Sequence, residues 1–342
     1  MIVIVFAWII LILIGIKPAE ECFNVGFGRT NSMALRGICS IEIMLGHIGL
    51  ATGSVILYPN RKAGVLVVGI FFALSGYGLM YSVSNKPHYL SNFFRKRILI
   101  NLLLPAYIVF IAGEITRSIL GEEGTELSNV AEIIPFFRET NWYVWEIAGL
   151  YICFFICAMI DKSLIKSHYY LGIGTLIFVC IAFGMGIDNP WYGSTFCFWV
   201  GILYYIKKEV FIKWFVSNHF LLKMFACGAL LLMAIVCFFL YGGIVGNLIA
   251  RNVASVVFVI LVLMCLHRYS IGNAVSGWLG KYSYEIYLIH PLLIKIMRPW
   301  IRNDVIYAWA VIASTVLISF VYGEVLRKIM KYGDRLWICK TN

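Results

Sequence analysis

Leu35-Arg36-Gly37-Ile38-Cys39-Ser40-Ile41-Glu42-Ile43-Met44-Leu45-Gly46-His47 sets an arginine and a histidine eleven residues apart within one hydrophobic span. On a helix that spacing turns through about 1100°, so the two side chains come within about 20° of each other and lie about 16 Å apart along the axis. They share one face, with Ser40 between them on nearly the same face. Ionisable side chains inside a bilayer are costly, so each marks a candidate functional site. A guanidinium at the membrane edge and an imidazole further in point to an anion site leading to an acid/base centre. The simpler alternative is that Arg36 anchors the helix at the interface and His47 bonds a neighbouring helix.

The rest of the chain has the composition of a membrane protein. Hydrophobic residues make up 61% of its 342 residues and charged residues 13%, with a mean hydropathy of +0.88. A soluble domain of this size cannot bury so much apolar side chain, so the expected fold is an all-α, polytopic transmembrane helix bundle of 10–11 spans. Eleven candidates lie near 2–16, 37–57, 64–83, 98–115, 142–160, 169–187, 190–206, 220–241, 247–267, 282–296 and 304–327. Segment 1–16 lacks a basic leading region and a clear small-residue cleavage site, and reads as a retained span rather than a signal peptide.

The net charge of +11 does not indicate nucleic acid, because the basic residues sit in short loops between apolar spans. With the N-terminus outside, only Arg61, Lys62, Arg117, Arg138, Arg251, Lys295, Arg298 and Arg302 of the 28 lysines and arginines fall on the outer side. That bias orients the chain with a cytosolic C-terminus in the cell membrane. The longest outer loop, 116–141, carries Glu122, Glu123, Glu126, Glu132 and Glu139. The ten cysteines contain no C-x-x-C pair and lie mostly in apolar spans, as small buried thiols do.

Four segments together resemble membrane-bound acyltransferase family 3, which includes O-acetyltransferases of cell-surface polysaccharides. They are Leu35-Arg36-Gly37 with Gly46-His47, Phe71-Phe72-Ala73-Leu74-Ser75-Gly76-Tyr77-Gly78-Leu79, Phe94-Arg95-Lys96-Arg97-Ile98 running on to Pro105-Ala106-Tyr107, and Leu279-Gly280-Lys281-Tyr282-Ser283-Tyr284-Glu285-Ile286-Tyr287-Leu288-Ile289-His290. Trp142-Tyr143-Val144-Trp145 is similar to an aromatic segment of the same family. The family often shows two arginines three apart in its third segment; here only the Arg95-x-Arg97 pair is present. The resemblance divides the chain into an extra N-terminal span and linker (1–32), the family domain (33–330) and a cytosolic tail (331–342).

The resemblance implies an O-acyltransferase that moves an acetyl or other acyl group from cytosolic acyl-CoA to a hydroxyl of a glycan or lipid-linked saccharide. Acyl-CoA is then a co-substrate; no permanently bound cofactor and no metal are implied, and membrane lipid is the surrounding partner. A free alcohol is a poor nucleophile and needs a base, a task suited to neutral imidazole. The resemblance assigns it to His47, and the membrane position of that histidine points to it independently. Arginine binds phosphate with a planar, bidentate donor set, which gives Arg36, with Arg95 and Arg97 on the same side, as donor-binding residues. Ser283, Tyr287 and His290 form a second stripe: Ser283 and His290 are nearly eclipsed on a helix, with Tyr287 about 60° from His290. They are candidates for acceptor binding or, for His290, for proton transfer, and equally for interhelical hydrogen bonding. Pro291 is expected to break that helix and open a polar cavity.

Glu42 points away from His47 and is expected to meet another helix, near Arg251 or His267. Glu146 and Glu324 have no evident partner in the sequence, and His88, His168 and His219 are expected in solvated loops. The rival reading is a transporter, flippase or polymerase of lipid-linked polysaccharide. A polymerase would be expected to carry a larger, arginine-rich outer loop than 116–141, and a transporter two similar halves, of which the sequence shows no sign.

Overall fold

The computed structural model describes residues 1–19, 26–119, 121, 142–161, 168–186, 192–216, 218–240 and 244–341. Among them are thirteen helices: α1 (Ile2–Ile14), α2 (Arg29–Thr52), α3 (Tyr58–Asn85), α4 (Phe94–Ile119), α5 (Trp142–Ile160), α6 (His168–Gly184), α7 (Phe196–Ile206), α8 (Lys208–Val216), α9 (Phe220–Leu240), α10 (Ile244–Leu266), α11 (Ala274–Lys281), α12 (Ser283–Met297) and α13 (Asp304–Thr341). The protein is an all-α polytopic bundle. Seven helices (α2, α3, α4, α5, α9, α10 and α13) are long and apolar enough to cross a membrane. The other four expected spans correspond to the shorter α1, α6, α7 and α12. The acidic residues Glu122, Glu123, Glu126, Glu132 and Glu139 of the expected outer loop lie outside the described residues. Helix α13 continues through 331–341, the stretch read as a tail.

Lipid exposure and core separate by helix. On α9 large apolar side chains such as Leu221 and Phe225 face outward at 80% and 75% exposure, a surface only hydrocarbon covers at low cost. Helices α2, α3 and α7 form the interior: Met44, Leu45, Ile48, Phe72, Phe198 and Ile202 are fully buried. Close approach of α3 and α7 depends on two glycines. A Cβ on Gly76 would collide with the Phe198 carbonyl, and one on Gly201 with the Ala73 carbonyl, the small-residue contact that lets membrane helices associate without a hydrophobic drive. Gly76→Ala should therefore destabilise the bundle by about 1–3 kcal/mol, read as a lower unfolding temperature in detergent. An unchanged transition would mean that the two helices slide apart without cost.

The ends of the helices define two faces. The end of α2 meets the start of α3, where Gly46 and Gly49 lie against Asn60 and Leu57; Gly53, at φ 67°, caps α2 in the left-handed region open to glycine. The start of α2 instead meets α11, whose first turn is closed by a reciprocal Asn273–Ser276 capping box. A two-stranded antiparallel pairing of Lys17↔Ser270 and Pro18↔Tyr269 ties the segment after α1 to this same end.

Several expectations change on this framework. Glu42 does meet other helices, but its partners are Trp8 Nε1 on α1 (2.7 Å) and Asn60 Nδ2 on α3 (2.6 Å), not Arg251 or His267. Glu324 accepts from Lys281 Nζ (2.9 Å) and the Tyr282 hydroxyl (2.7 Å) and pairs with Arg327. Thr195 Oγ1 donates to one oxygen of the buried Glu146 at 2.6 Å. His88 and His219 are exposed, whereas His168 opens α6 and is buried at 2% exposure, its carbonyl accepting from Trp199 Nε1. Ser40 is buried, and its hydroxyl donates to the Gly37 carbonyl of its own helix. Helix α12 passes Pro291 without a break and ends at Met297.

Candidate functional site

Helix α2 carries both halves of the candidate site. Arg36 is seven residues from its first residue and His47 five from its last, so at 1.5 Å per residue they lie about 10 Å and about 8 Å inside opposite ends. Glycines bring neighbours close at both levels. A Cβ on Gly37 would collide with the Ser276 carbonyl of α11, and one on Gly46 would press on the Asn60 carbonyl of α3. The first contact sets α11, and with it the start of α12, beside Arg36. The second sets the first turn of α3 beside His47.

Helix α12 brings His290 to His47. His47 Nδ1 and His290 Nε2 are 2.8 Å apart, with ring centroids at 5.0 Å and the planes inclined by 21°. His290 is wholly buried, and its Nδ1 lies 2.9 Å from the Ile286 carbonyl. A carbonyl only accepts, so His290 Nδ1 carries the proton and its Nε2 is a lone pair. The donor between the rings is then His47 Nδ1–H, which leaves His47 Nε2 as the basic nitrogen. His47 is exposed, so the end of this chain of bonds is the one open to a substrate.

On the arginine side of this pair lies a cavity of about 180 Å³ lined by Arg36, Arg97, Asn101, Tyr151, Ser283 and Tyr284, and at its other end by Ile43, Tyr143 and Tyr287. Arg97 Nη2 donates to the Tyr151 hydroxyl (3.2 Å), and the guanidinium lies 5.3 Å from the Tyr151 ring centroid. Its Nε is buried without a partner. Two guanidinium groups thus face one space, and among the described residues its lining holds no carboxylate. That is a site for an anion of more than one charge, with donors suited to phosphate oxygens.

The anion site does not lead without interruption to the acid/base centre, as the shared face of Arg36 and His47 suggests: the cavity stops one helical turn short of the histidines, because Ile43 lines it and His47 does not. Two tyrosines stand between. The Tyr143 and Tyr287 rings are 5.1 Å apart, and Tyr287 lies edge-on to His290 at 6.0 Å. Ser75, from the Phe71–Leu79 segment, lines the cavity together with Tyr143.

Of the residues singled out in the sequence, the structure gathers Arg36, Arg97, Ser283 and Tyr287 around the cavity and pairs His47 with His290. Arg95 does not line the cavity. Residues two apart point to opposite sides of a helix, and α4, which opens as a π-helix over Phe94–Leu103, presents Arg97 with Asn101 and Leu102 to the cavity. Sequence reasoning missed the contribution of α5. Tyr143, Ile147 and Tyr151 recur every four residues and form one stripe along the cavity, a helical spacing visible in the sequence.

A family model described as an acyltransferase domain matches residues 32–324. No curated protein and no solved structure matches the chain.

Proposed function

The chain belongs to acyltransferase family 3, and from that premise we propose that it moves an acetyl group from acyl-CoA to a hydroxyl of a cell-surface glycan or lipid-linked saccharide, with His47 as the base. The observation that carries this reading is the open Nε2 of His47, fixed by His290 and standing one layer beyond a dicationic cavity.

The chemistry follows from that geometry. His47 Nε2 takes the hydroxyl proton as the acceptor oxygen bonds to the thioester carbonyl carbon. The carbon–sulfur bond then breaks, and the leaving thiolate takes the proton back from His47. The resulting imidazolium is stabilised meanwhile by the hydrogen bond from Nδ1 to His290. Arg36 and Arg97 hold the phosphates of the donor on the face that the basic residues mark as cytosolic. The pantetheine arm lies in the cavity, and the thioester reaches His47 once the Tyr287 ring turns aside. The acceptor approaches from the opposite face, where His47 is exposed. One transfer then carries the acyl group across the membrane without a second enzyme.

Arg36 offers the test of donor binding. Arg36→Ala should raise the acyl-CoA concentration needed for half-maximal transfer by about ten- to a hundredfold, the worth of a charged hydrogen-bonded contact, while the rate at saturation holds. Arg36→Lys should fall between, because lysine keeps the charge but loses the planar donor pair. Titration of acyl-CoA against membranes containing each variant measures it. Identical curves for lysine and arginine would reduce Arg36 to an interfacial anchor.

A further inference from the structure

A second cavity, of about 210 Å³, lies between the first turns of α3 and α10 and the last part of α9. Its walls are apolar, including Val65, Leu66, Ile235 and Ala254, yet Lys62 and Arg251 both line it and, among the described residues, no carboxylate does. Arg251 is seven residues inside α10, about 10 Å from the helix start. Its guanidinium lies over the Phe238 ring at 4.7 Å, and its Nε is buried without a partner. Among the described residues no carboxylate pairs with it. Lys62, in the first turns of α3, lies over the Tyr58 ring at 5.3 Å. An arginine at this depth is costly unless an anion accompanies it. The apolar remainder of the cavity requires that anion to carry a hydrocarbon tail.

We propose that this cavity binds an anionic phospholipid of the bilayer, with its phosphate held between Lys62 and Arg251 and an acyl chain against Val65, Leu66, Ile235 and Ala254. A basic residue near the membrane surface contributes about 1 kcal/mol toward an anionic lipid, which is about fivefold in affinity. The site is distinct from the arginine cavity and belongs to the opposite face, the one on which His47 is exposed. Its α3 turn is the same turn that packs on Gly46, so the bound lipid would brace the helix beside His47.

Native mass spectrometry of the full chain, released from nanodiscs holding equal phosphatidylglycerol and phosphatidylcholine, tests the site without reference to acyl transfer. One phosphatidylglycerol should remain bound in preference to phosphatidylcholine. Retention should fall about fivefold in Lys62→Gln and about 25-fold in the Lys62→Gln/Arg251→Gln double variant. Excess soluble glycerol phosphate should not displace the lipid. Equal retention of the two lipids, unchanged retention in the double variant, or displacement by glycerol phosphate would each overturn the proposal. If the double variant does not fold, the exposed Lys62→Gln change decides alone, and its unchanged preference for phosphatidylglycerol counts against the site.

Discussion

Replacing His47 with alanine lowers acyl transfer by about two to four orders of magnitude, the usual contribution of a positioned general base. The protein itself should remain folded, because His47 stands at the exposed end of its hydrogen-bond chain with His290. Acyl-CoA binding should persist as well, since Arg36 and Arg97 line a cavity that His47 does not touch. The informative result is therefore a split: donor binding retained, transfer lost. Acyl transfer within a few-fold of the wild type would remove His47 from the chemistry. A parallel loss of donor binding and of transfer would instead indicate that α2 had shifted.

The second large effect is expected at His290, and it separates positioning from chemistry. His290 is the acceptor that holds the proton on His47 Nδ1 and so keeps Nε2 basic. Without it the His47 ring is free to exchange tautomers and to turn, as in other sites where an orienting partner fixes the imidazole. His290→Ala should cost about a hundredfold in transfer, and His290→Gln should recover part of that loss. A glutamine amide oxygen reaches about as far as Nε2 and accepts the same bond. Rescue by glutamine is the signature of an acceptor, because a purely structural role would be served no better by glutamine than by alanine. The measurement is transfer rate at saturating acyl-CoA for the three residues at this position. Equal rates for alanine and glutamine would place His290 outside the hydrogen-bond chain.

How far the sequence discloses this site depends on the range of each contact. The shared face of Arg36 and His47 is a property of a single helix, and periodicity alone gives it. The same periodicity sets Glu42 off the face of His47, and Glu42 bonds Trp8 and Asn60 rather than either histidine. The His47–His290 bond joins residues 243 apart. Ser283, Tyr287 and His290 read as a stripe, but nothing in their spacing says which helix they meet. Arg95 and Arg97 read alike as basic residues on one membrane side, but residues two apart point to opposite faces of a helix, and only Arg97 lines the cavity. His168 looked like a loop residue because a basic, polar stretch precedes it, whereas it opens α6 under Trp199. The separation between cavity and histidines was hidden for a similar reason. Tyr143 lies on α5 and Tyr287 on α12, and only their meeting makes a partition.

Cell-surface glycans analysed by mass spectrometry, from a strain lacking the protein and from the same strain carrying either the wild type or His47→Ala, give the most direct test. The expected result is an acetyl increment missing from one glycan in the deletion strain, restored by the wild type and still missing with His47→Ala. An unchanged glycan profile on deletion, or full restoration by His47→Ala, would refute acyl transfer through His47 and return weight to a transport function.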